Sequence, residues 1–278
     1  MKKFFALMLA IVMTLSLAAC GEQAAQTPQE GQQQEEAAKT KIDQIKEAGV
    51  LVMGTSADYP PAEFHTEING QDAIVGYDID IAMCSAEDLG VELEVVDMAF
   101  DGLCINLSKG DFDMVISGMS ATEERKQAVD FTEPYFKAGQ AILVLAENAD
   151  QYKTVDDLKG KKIGYQSGTI QAGVLEEYGL TENAVALTNA QNIVMELKQG
   201  KLDVAYIDYM PSLAFEAADS ALKMVDVGLV YDGPGEAIAV QKGNEEFLAY
   251  LNDFIAKMNE EGKIESLIAD AQLLVGIE

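Results

Sequence analysis

One eight-residue pattern occurs twice in the chain. Leu107-Ser108-Lys109-Gly110-Asp111-Phe112-Asp113-Met114 is echoed by Leu197-Lys198-Gln199-Gly200-Lys201-Leu202-Asp203-Val204. Each copy reads as a helix end, a closing glycine, and a strand begun through an acid and an apolar residue. A second echo precedes it in the same order. Gly49-Val50-Leu51-Val52-Met53-Gly54 is a glycine followed by a buried strand, and Gly160-Lys161-Lys162-Ile163-Gly164 repeats the plan. One such join arises by chance. Two in the same order predict two lobes of similar build.

The stretch between the first pair of echoes fills in the lobe. Ile79 to Leu89 has a helical pattern closed by Gly90. Val91 to Val96 alternates as a strand, a helix follows from about Asp101 to Lys109, and Asp113 to Ile116 is another strand. This β-α-β-α-β rhythm predicts α/β lobes with mostly parallel sheets covered by helices. Two extended runs, 137–145 and 236–240, read as crossings between lobes, and a two-strand crossing is a natural hinge. The last segment, Asn244 to Leu274, is helical, with Phe247, Leu248, Leu251, Phe254, Ile255 and Met258 on one face that returns to the first lobe. The expected division is 41–141 plus 236–278 for lobe I and 142–235 for lobe II.

The N-terminus reads as an address. Lys2 and Lys3 precede an apolar run, Phe4 to Leu17, that is short for a membrane span. Leu17-Ala18-Ala19-Cys20 then resembles the lipobox of bacterial lipoproteins. The resemblance implies a signal peptide over 1–19 and a diacylated Cys20 that anchors the exported chain to the outer face of the cell membrane. Gly21 to Ala38 lacks any aromatic or large aliphatic residue and cannot bury enough surface to fold, so 20–40 is expected to be a disordered tether. No later run of apolar residues is long enough to span a bilayer.

Charge excludes several functions. The chain has 19 basic and 47 acidic residues, a net −28, and losing Lys2 and Lys3 with the signal takes it to −30. Nucleic acid is therefore not an expected partner. A single histidine, His65, and three cysteines leave no material for a His-rich or Cys-rich metal centre, and no metal or cofactor is expected. Cys84 and Cys104 could be buried thiols or one exported disulfide.

In open α/β sheets, ligands bind beyond the carboxyl ends of the strands. Four loops there carry candidates. The first, Thr55 to Pro61, includes Ser56, Asp58 and Tyr59, with the aromatic face held by two prolines. The second, Ile116 to Arg125, includes Ser117, Gly118, Met119 and Ser120 before a helix expected near Thr122. Ser120 and Glu123 are spaced as a capping box, and Arg125 in a first turn suits an anion. The third holds Gln166, Gly168 and Thr169 before another helix start. The fourth ends in Asp208, a strand-end carboxylate facing the cleft. With Phe100, these groups complement a zwitterion: an anion site at Arg125, a cation partner at Asp208, and aromatic faces between them.

Collinear motifs sharpen this reading. Gly76-Tyr77-Asp78-Ile79-Asp80-Ile81, Phe100-Asp101-Gly102-Leu103, Asp130-Phe131-Thr132-Glu133-Pro134-Tyr135 and Asp157-Leu158-Lys159-Gly160-Lys161 resemble the bacterial extracellular solute-binding proteins that serve polar amino-acid ABC transporters, family 3. The resemblance implies a two-lobed, type II periplasmic-binding-protein-like fold and a monomer that delivers a polar α-amino acid to an ABC permease. It implies that Tyr59 and Phe100 sandwich the side chain, and that Ser117, Gly118, Ser120 and Arg125 hold the α-carboxylate. Gly168 and Thr169 would add amides, and Asp208 would take the α-amino group. Ser56, Asp58, Met119 and Gln166 are expected to complete the lining. Asp78 and Asp80 fit helix-start acids better than ligand contacts. Cys104-Ile105-Asn106 replaces the usual I-P-A, and Ser85 stands where an apolar residue is usual. Ser56 occupies a position that is acidic in members binding lysine or arginine, which weakens a basic-ligand reading, although Asp58 is near enough to compensate. The same fold resembles cyclohexadienyl dehydratases, for which Asp58, Glu63 or Asp208 would be the acid or base. A ligand-sensing domain is a third alternative; a non-enzymatic carrier is the reading adopted.

Overall fold

Each of the two echoed octapeptides sits at the same place in one of two sheets. The computed structural model describes residues 39–277; the signal segment, Cys20 and nearly all of the tether lie outside them. The first half of the chain forms α1 (Lys41–Ala48), β1 (Val50–Thr55), β2 (Asp58–Tyr59), β3 (Glu63–Ile68), β4 (Gln71–Val75) and α2 (Tyr77–Leu89). It continues through β5 (Glu92–Asp97), α3 (Leu103–Lys109), β6 (Met114–Val115) and β7 (Val129–Phe131). Next come β8 (Gln140–Leu145), β9 (Ile163–Gln166), α4 (Gln171–Glu177), β10 (Ala184–Leu187), α5 (Ala190–Lys198), β11 (Val204–Asp208), α6 (Tyr209–Ala218) and β12 (Leu222–Val225). The chain ends in β13 (Ala239–Gln241), α7 (Glu245–Glu260) and α8 (Lys263–Leu274).

The first sheet has the order β5-β1-β6-β13-β7 and the second β10-β9-β11-β8-β12. These are the same plan. In each, one strand pairs in parallel with two neighbours, a fourth strand, β13 or β8, is added antiparallel, and a fifth, β7 or β12, pairs antiparallel with the fourth and so runs with the first three. Four of the five strands in each sheet thus run in one direction, the mostly parallel arrangement that the β-α-β rhythm predicts. The reversed strands β8 and β13 each follow a crossing, so their direction is set by the passage between lobes and not by helical crossovers.

The echo has a packing cause. A Cβ on Gly54 in β1 would lie 2.5 Å from the Phe112 ring, and one on Gly164 in β9 would lie 2.4 Å from Leu202 Cδ1. Each apolar residue of the repeat fills the space that a strand glycine leaves. The repeat's aspartate then locks the strand edge: Asp113 Oδ2 accepts from Val52 N and Asp203 Oδ2 from Lys162 N, each at 2.8 Å. Gly110 and Gly200 close the preceding helices with φ of 86° and 67°, a region that disfavours a side chain.

Both faces of each sheet are covered. Successive residues of β8 face opposite cores, Ile142 and Val144 on one side and Leu143 on the other, and β11 divides Val204 and Tyr206 from Ala205 and Ile207. In the first lobe, Phe247, Leu251, Phe254, Ile255 and Met258 of α7 are buried in the core formed by β1, β6 and α2, so the C-terminal helices return to it as their pattern predicts. Burying five such side chains contributes about 1.5–3 kcal/mol each as an upper estimate.

Three local expectations differ. The region after Ser120 forms one short 3-10 turn, Arg125–Gln127, instead of a helix from Thr122. The chain must reverse there to enter β7 beside β13, and Thr122 Oγ1 accepts from Arg125 N, so the Ser120–Glu123 capping box does not form. The helix expected from Asp101 begins with the 3-10 turn Phe100–Gly102. A small sheet, β2-β3-β4, was not anticipated. Its tight turn is Asn69-Gly70, with φ of 55° and 78°, the backbone a two-residue hairpin demands. Cys84 and Cys104 are free thiols packed on opposite faces of the first sheet, which settles the open alternative against a disulfide. Among the described residues, no helix is long and apolar enough to cross a membrane.

Candidate functional site

Two segments link the sheets, 132–138 and 226–238. They touch each other where Tyr135 N donates to Glu236 O at 2.9 Å and Glu236 N to Phe136 O at 2.8 Å. Above this paired crossing, the carboxyl ends of β1, β6, β9 and β11 converge on a small cavity lined from both sheets. Of the sequence candidates, all but Ser56, Met119 and Gly168 line it. Met119 and Gly168 border a wider groove on the far side of Arg125, and Ser56 borders one at the opposite mouth, with His65 and Asp97.

The first loop is fixed from beneath. Ala57 N donates to Asp97 Oδ1 at 2.8 Å, and Ser56 N to Ser117 Oγ at 3.0 Å. Ser56 Oγ donates to Asp58 Oδ1 at 2.9 Å. Ser56 is thus a support for Asp58. Asp58 in turn reaches the other lobe. It accepts from Gln166 Nε2 at 3.0 Å and from Ala190 N, the first amide of α5, at 2.6 Å. A carboxylate at a helix start is stabilised by its free amides and dipole. Burial raises the Asp58 pKa, and these hydrogen bonds act against that rise.

The second loop carries Arg125 on the short turn. Its Nη1 donates to Ser120 O at 2.6 Å and its Nη2 to Gly168 O at 2.9 Å, and its Cζ lies 5.1 Å from the Phe100 ring centroid. The guanidinium is therefore placed by a carbonyl from each lobe and an aromatic face. Gly118 has a φ of 52°, and its amide donates to Asp78 Oδ2 at 2.7 Å, while Tyr135 OH donates to Asp78 Oδ1 at 2.8 Å. Asp78 does not line the cavity. It stands in the first turn of α2, as expected of it, and it holds the second loop in shape.

On the second lobe, Thr169 does not cap α4; its hydroxyl donates to Gln166 O at 2.7 Å and tightens the loop. Asp208 stands at the N-cap of α6 but makes no capping bond with its side chain. It accepts instead from Tyr59 OH at 2.9 Å, Gln140 Nε2 at 2.5 Å and Gln171 Nε2 at 2.8 Å. Burial pushes its pKa up to about 6 against the pull of those three donors, so it is ionised at neutral pH.

Sequence reasoning passed over Gln140 and Gln171, and it weighed Glu63 only as an acid for an enzyme. Glu63 and Gln171 line the cavity, and Gln140 supports Asp208 from β8. No local signal marks either glutamine. Glu63 follows the fixed Tyr59-Pro60-Pro61 loop, and the Asn69-Gly70 hairpin was the signal that would have turned its strand inward.

The chain matches the sequence model of the bacterial extracellular solute-binding proteins, family 3, over residues 51–270. It is 33% identical over 273 residues to the arginine-binding extracellular protein ArtP of Bacillus subtilis, covering 96% of each chain. It is 30% identical over 227 residues to the L-cystine-binding protein TcyJ of Escherichia coli K12, 81% of this chain and 84% of that one. Among solved structures, it resembles an amino acid ABC transporter substrate-binding protein from Streptococcus pneumoniae bound to L-arginine. There the TM-score is 0.80 at 33% identity, covering 84% of this chain and 98% of the other.

Proposed function

The chain belongs to the bacterial extracellular solute-binding proteins, family 3, and from that premise we propose that it captures a polar α-amino acid between its lobes and delivers it to an ABC permease. One observation carries the reading. A guanidinium and an ionised carboxylate, Arg125 and Asp208, come from different lobes and line the same cavity. That pair is the complement of a zwitterion. The fork of Arg125 takes the α-carboxylate bidentately, with Gly118, Ser120 and Thr169 beside it and Gly168 at the rim. Asp208 takes the α-ammonium while Tyr59 and Gln171 fix its orientation, and the Phe100 and Tyr59 rings flank the side chain.

The binding step and lobe closure are one event, because each end of the ligand is held by a different lobe. A ligand that binds the closed form better shifts the population towards it, and closure is the state a permease can sense. The site is one for capture and release, not catalysis, consistent with relatives named as binding proteins. In this reading lobe I is 41–141 plus 236–278 and lobe II is 142–235. The exported chain is a monomer anchored through lipid on Cys20, with 20–40 as its tether. The high negative charge then keeps the body off anionic headgroups.

Isothermal titration of the ligand-stripped protein with the twenty amino acids tests this. A polar amino acid binds near micromolar, and Arg125→Ala weakens it by about 2–5 kcal/mol. A blank across the panel overturns the reading.

A further inference from the structure

Tyr231 lies in the second of the two crossings, four residues before Gly235. That crossing runs beside the loop that carries the anion groups. Ala121 N donates to Gly235 O at 3.3 Å and Ala237 N to Met119 O at 3.0 Å, so the crossing holds the backbone on either side of Ser120. Upstream of these bonds, Tyr231 turns back towards the same serine.

The side chain of Tyr231 reaches both lobes. Its ring packs at the edge of the lobe II core that contains Val174, Val227 and Leu229. Its hydroxyl end faces Ser120 of lobe I and feels the charges of Arg125 and Asp208, and the residue borders the groove beyond Arg125 together with Phe100 and Thr169. The backbone makes room for this pose. A Cβ on Gly233 would lie 2.1 Å from Tyr231 Cζ and 2.2 Å from its hydroxyl oxygen, so the phenol folds over its own crossing where any side chain would displace it. Burial raises the pKa of Tyr231, and the phenol therefore keeps its proton and stays a donor at neutral pH.

Ser120 is where this donor acts. It lines the cavity, and its carbonyl oxygen holds Arg125 Nη1 at 2.6 Å. A serine hydroxyl rotates, and its hydrogen can point at a neighbouring anion or away from it. A second donor on the serine oxygen restricts that rotation and polarises the O–H. Resting on the amino-acid reading above, we infer that Tyr231 is a positioning residue of the anion site: its phenol donates to Ser120 Oγ and aims the serine's own hydrogen at the ligand's α-carboxylate. The ring is seated on lobe II and the serine on lobe I, so the relay is complete only while the lobes are closed. Bending the crossing withdraws the phenol, and the grip on the carboxylate loosens as the cleft opens.

Calorimetry tests this with the amino acid that binds the wild type tightest, its α-carboxamide, and the variants Tyr231→Phe, Ser120→Ala and the two combined. Tyr231→Phe keeps the ring and removes only the hydroxyl. It is expected to weaken the free acid by about 3- to 10-fold and the carboxamide by less than ~2-fold, so that the preference between them narrows. In the Ser120→Ala background the same change is expected to cost less than ~2-fold, because the relay has lost its middle member. The inference is overturned if Tyr231→Phe binds the free acid as the wild type does, if acid and carboxamide weaken alike, or if the two single losses multiply in the combined variant. Where Ser120→Ala folds poorly, the comparison of acid with carboxamide on Tyr231→Phe decides alone. An amino acid bound equally by the wild type and Tyr231→Phe sinks this inference and leaves the amino-acid reading intact; a wild type that binds no amino acid sinks both.

Discussion

The two lobes share a scaffold and divide the chemistry. Gly54 with Phe112 and Asp113 in one lobe matches Gly164 with Leu202 and Asp203 in the other, down to the backbone amide each aspartate holds. At the carboxyl ends the likeness stops. The loop after β6 carries Arg125, and the corresponding strand β11 ends in Asp208. Lobe I also carries the hairpin that brings in Glu63 and the buried acids behind it, whereas lobe II presents glutamines. Duplicate frames with opposite charges at matching strand ends favour a ligand with two oppositely charged ends. The scaffold likeness concerns stability, and the loop difference concerns binding.

Breaking the shared frame should have the largest effect. Phe112→Ala is expected to cost about 3–5 kcal/mol of stability and Leu202→Ala about 2–5 kcal/mol, since each empties the space over a strand glycine. Urea unfolding measures both. Similar losses would support the equivalence of the lobes, and a negligible loss at either position would contradict it.

Breaking the difference between the lobes should spare stability and remove binding. Arg125→Ala is expected to weaken the ligand by about 2–5 kcal/mol and Asp208→Asn by about 1.5–3 kcal/mol, the smaller because an amide still accepts a hydrogen bond. Calorimetric affinities measure these losses. Asp58→Asn is expected to cost about 1–2 kcal/mol of closed-state stability, because the carboxylate caps α5 from the other lobe. Small-angle scattering should then show a more open apo form.

How much of this was written in the sequence depends on range. The echoed joins were legible because helix closure, strand glycine and aspartate lie within a few residues of one another. The place of Arg125 beside the cavity was legible from its loop, yet the helix expected there does not form, because the chain reverses after Glu124 to enter β7 beside β13. Asp208 was legible from its strand end. Gln140 and Gln171 were not, since their roles arise only where β8, β11 and α4 meet. The meeting of Glu63 with Asp78 and Glu236 is a tertiary fact that no window of sequence contains.

The smallest effect concerns pH. Glu63, Asp78 and Glu236 hold protons more tightly in the folded chain than in the unfolded one. Between the ordinary carboxylate pKa and the raised values, the native state therefore binds more protons, and stability falls as pH rises. The apo protein should melt higher at pH 5.5 than at pH 8, and Glu63→Gln should flatten that slope. Ligand affinity should run the other way on the acid side, weakening as pH falls through about 6, where Asp208 gains a proton.

The most direct test of the central claim uses one ligand with its ends blocked in turn. The amino acid that binds tightest is titrated beside its N-acetyl derivative and its methyl ester. If Arg125 and Asp208 grip opposite ends of a zwitterion across the seam, each blocked form loses binding in the wild type. In addition, Arg125→Ala no longer distinguishes the ester from the free acid. A blocked form that binds as tightly as the parent would contradict the account.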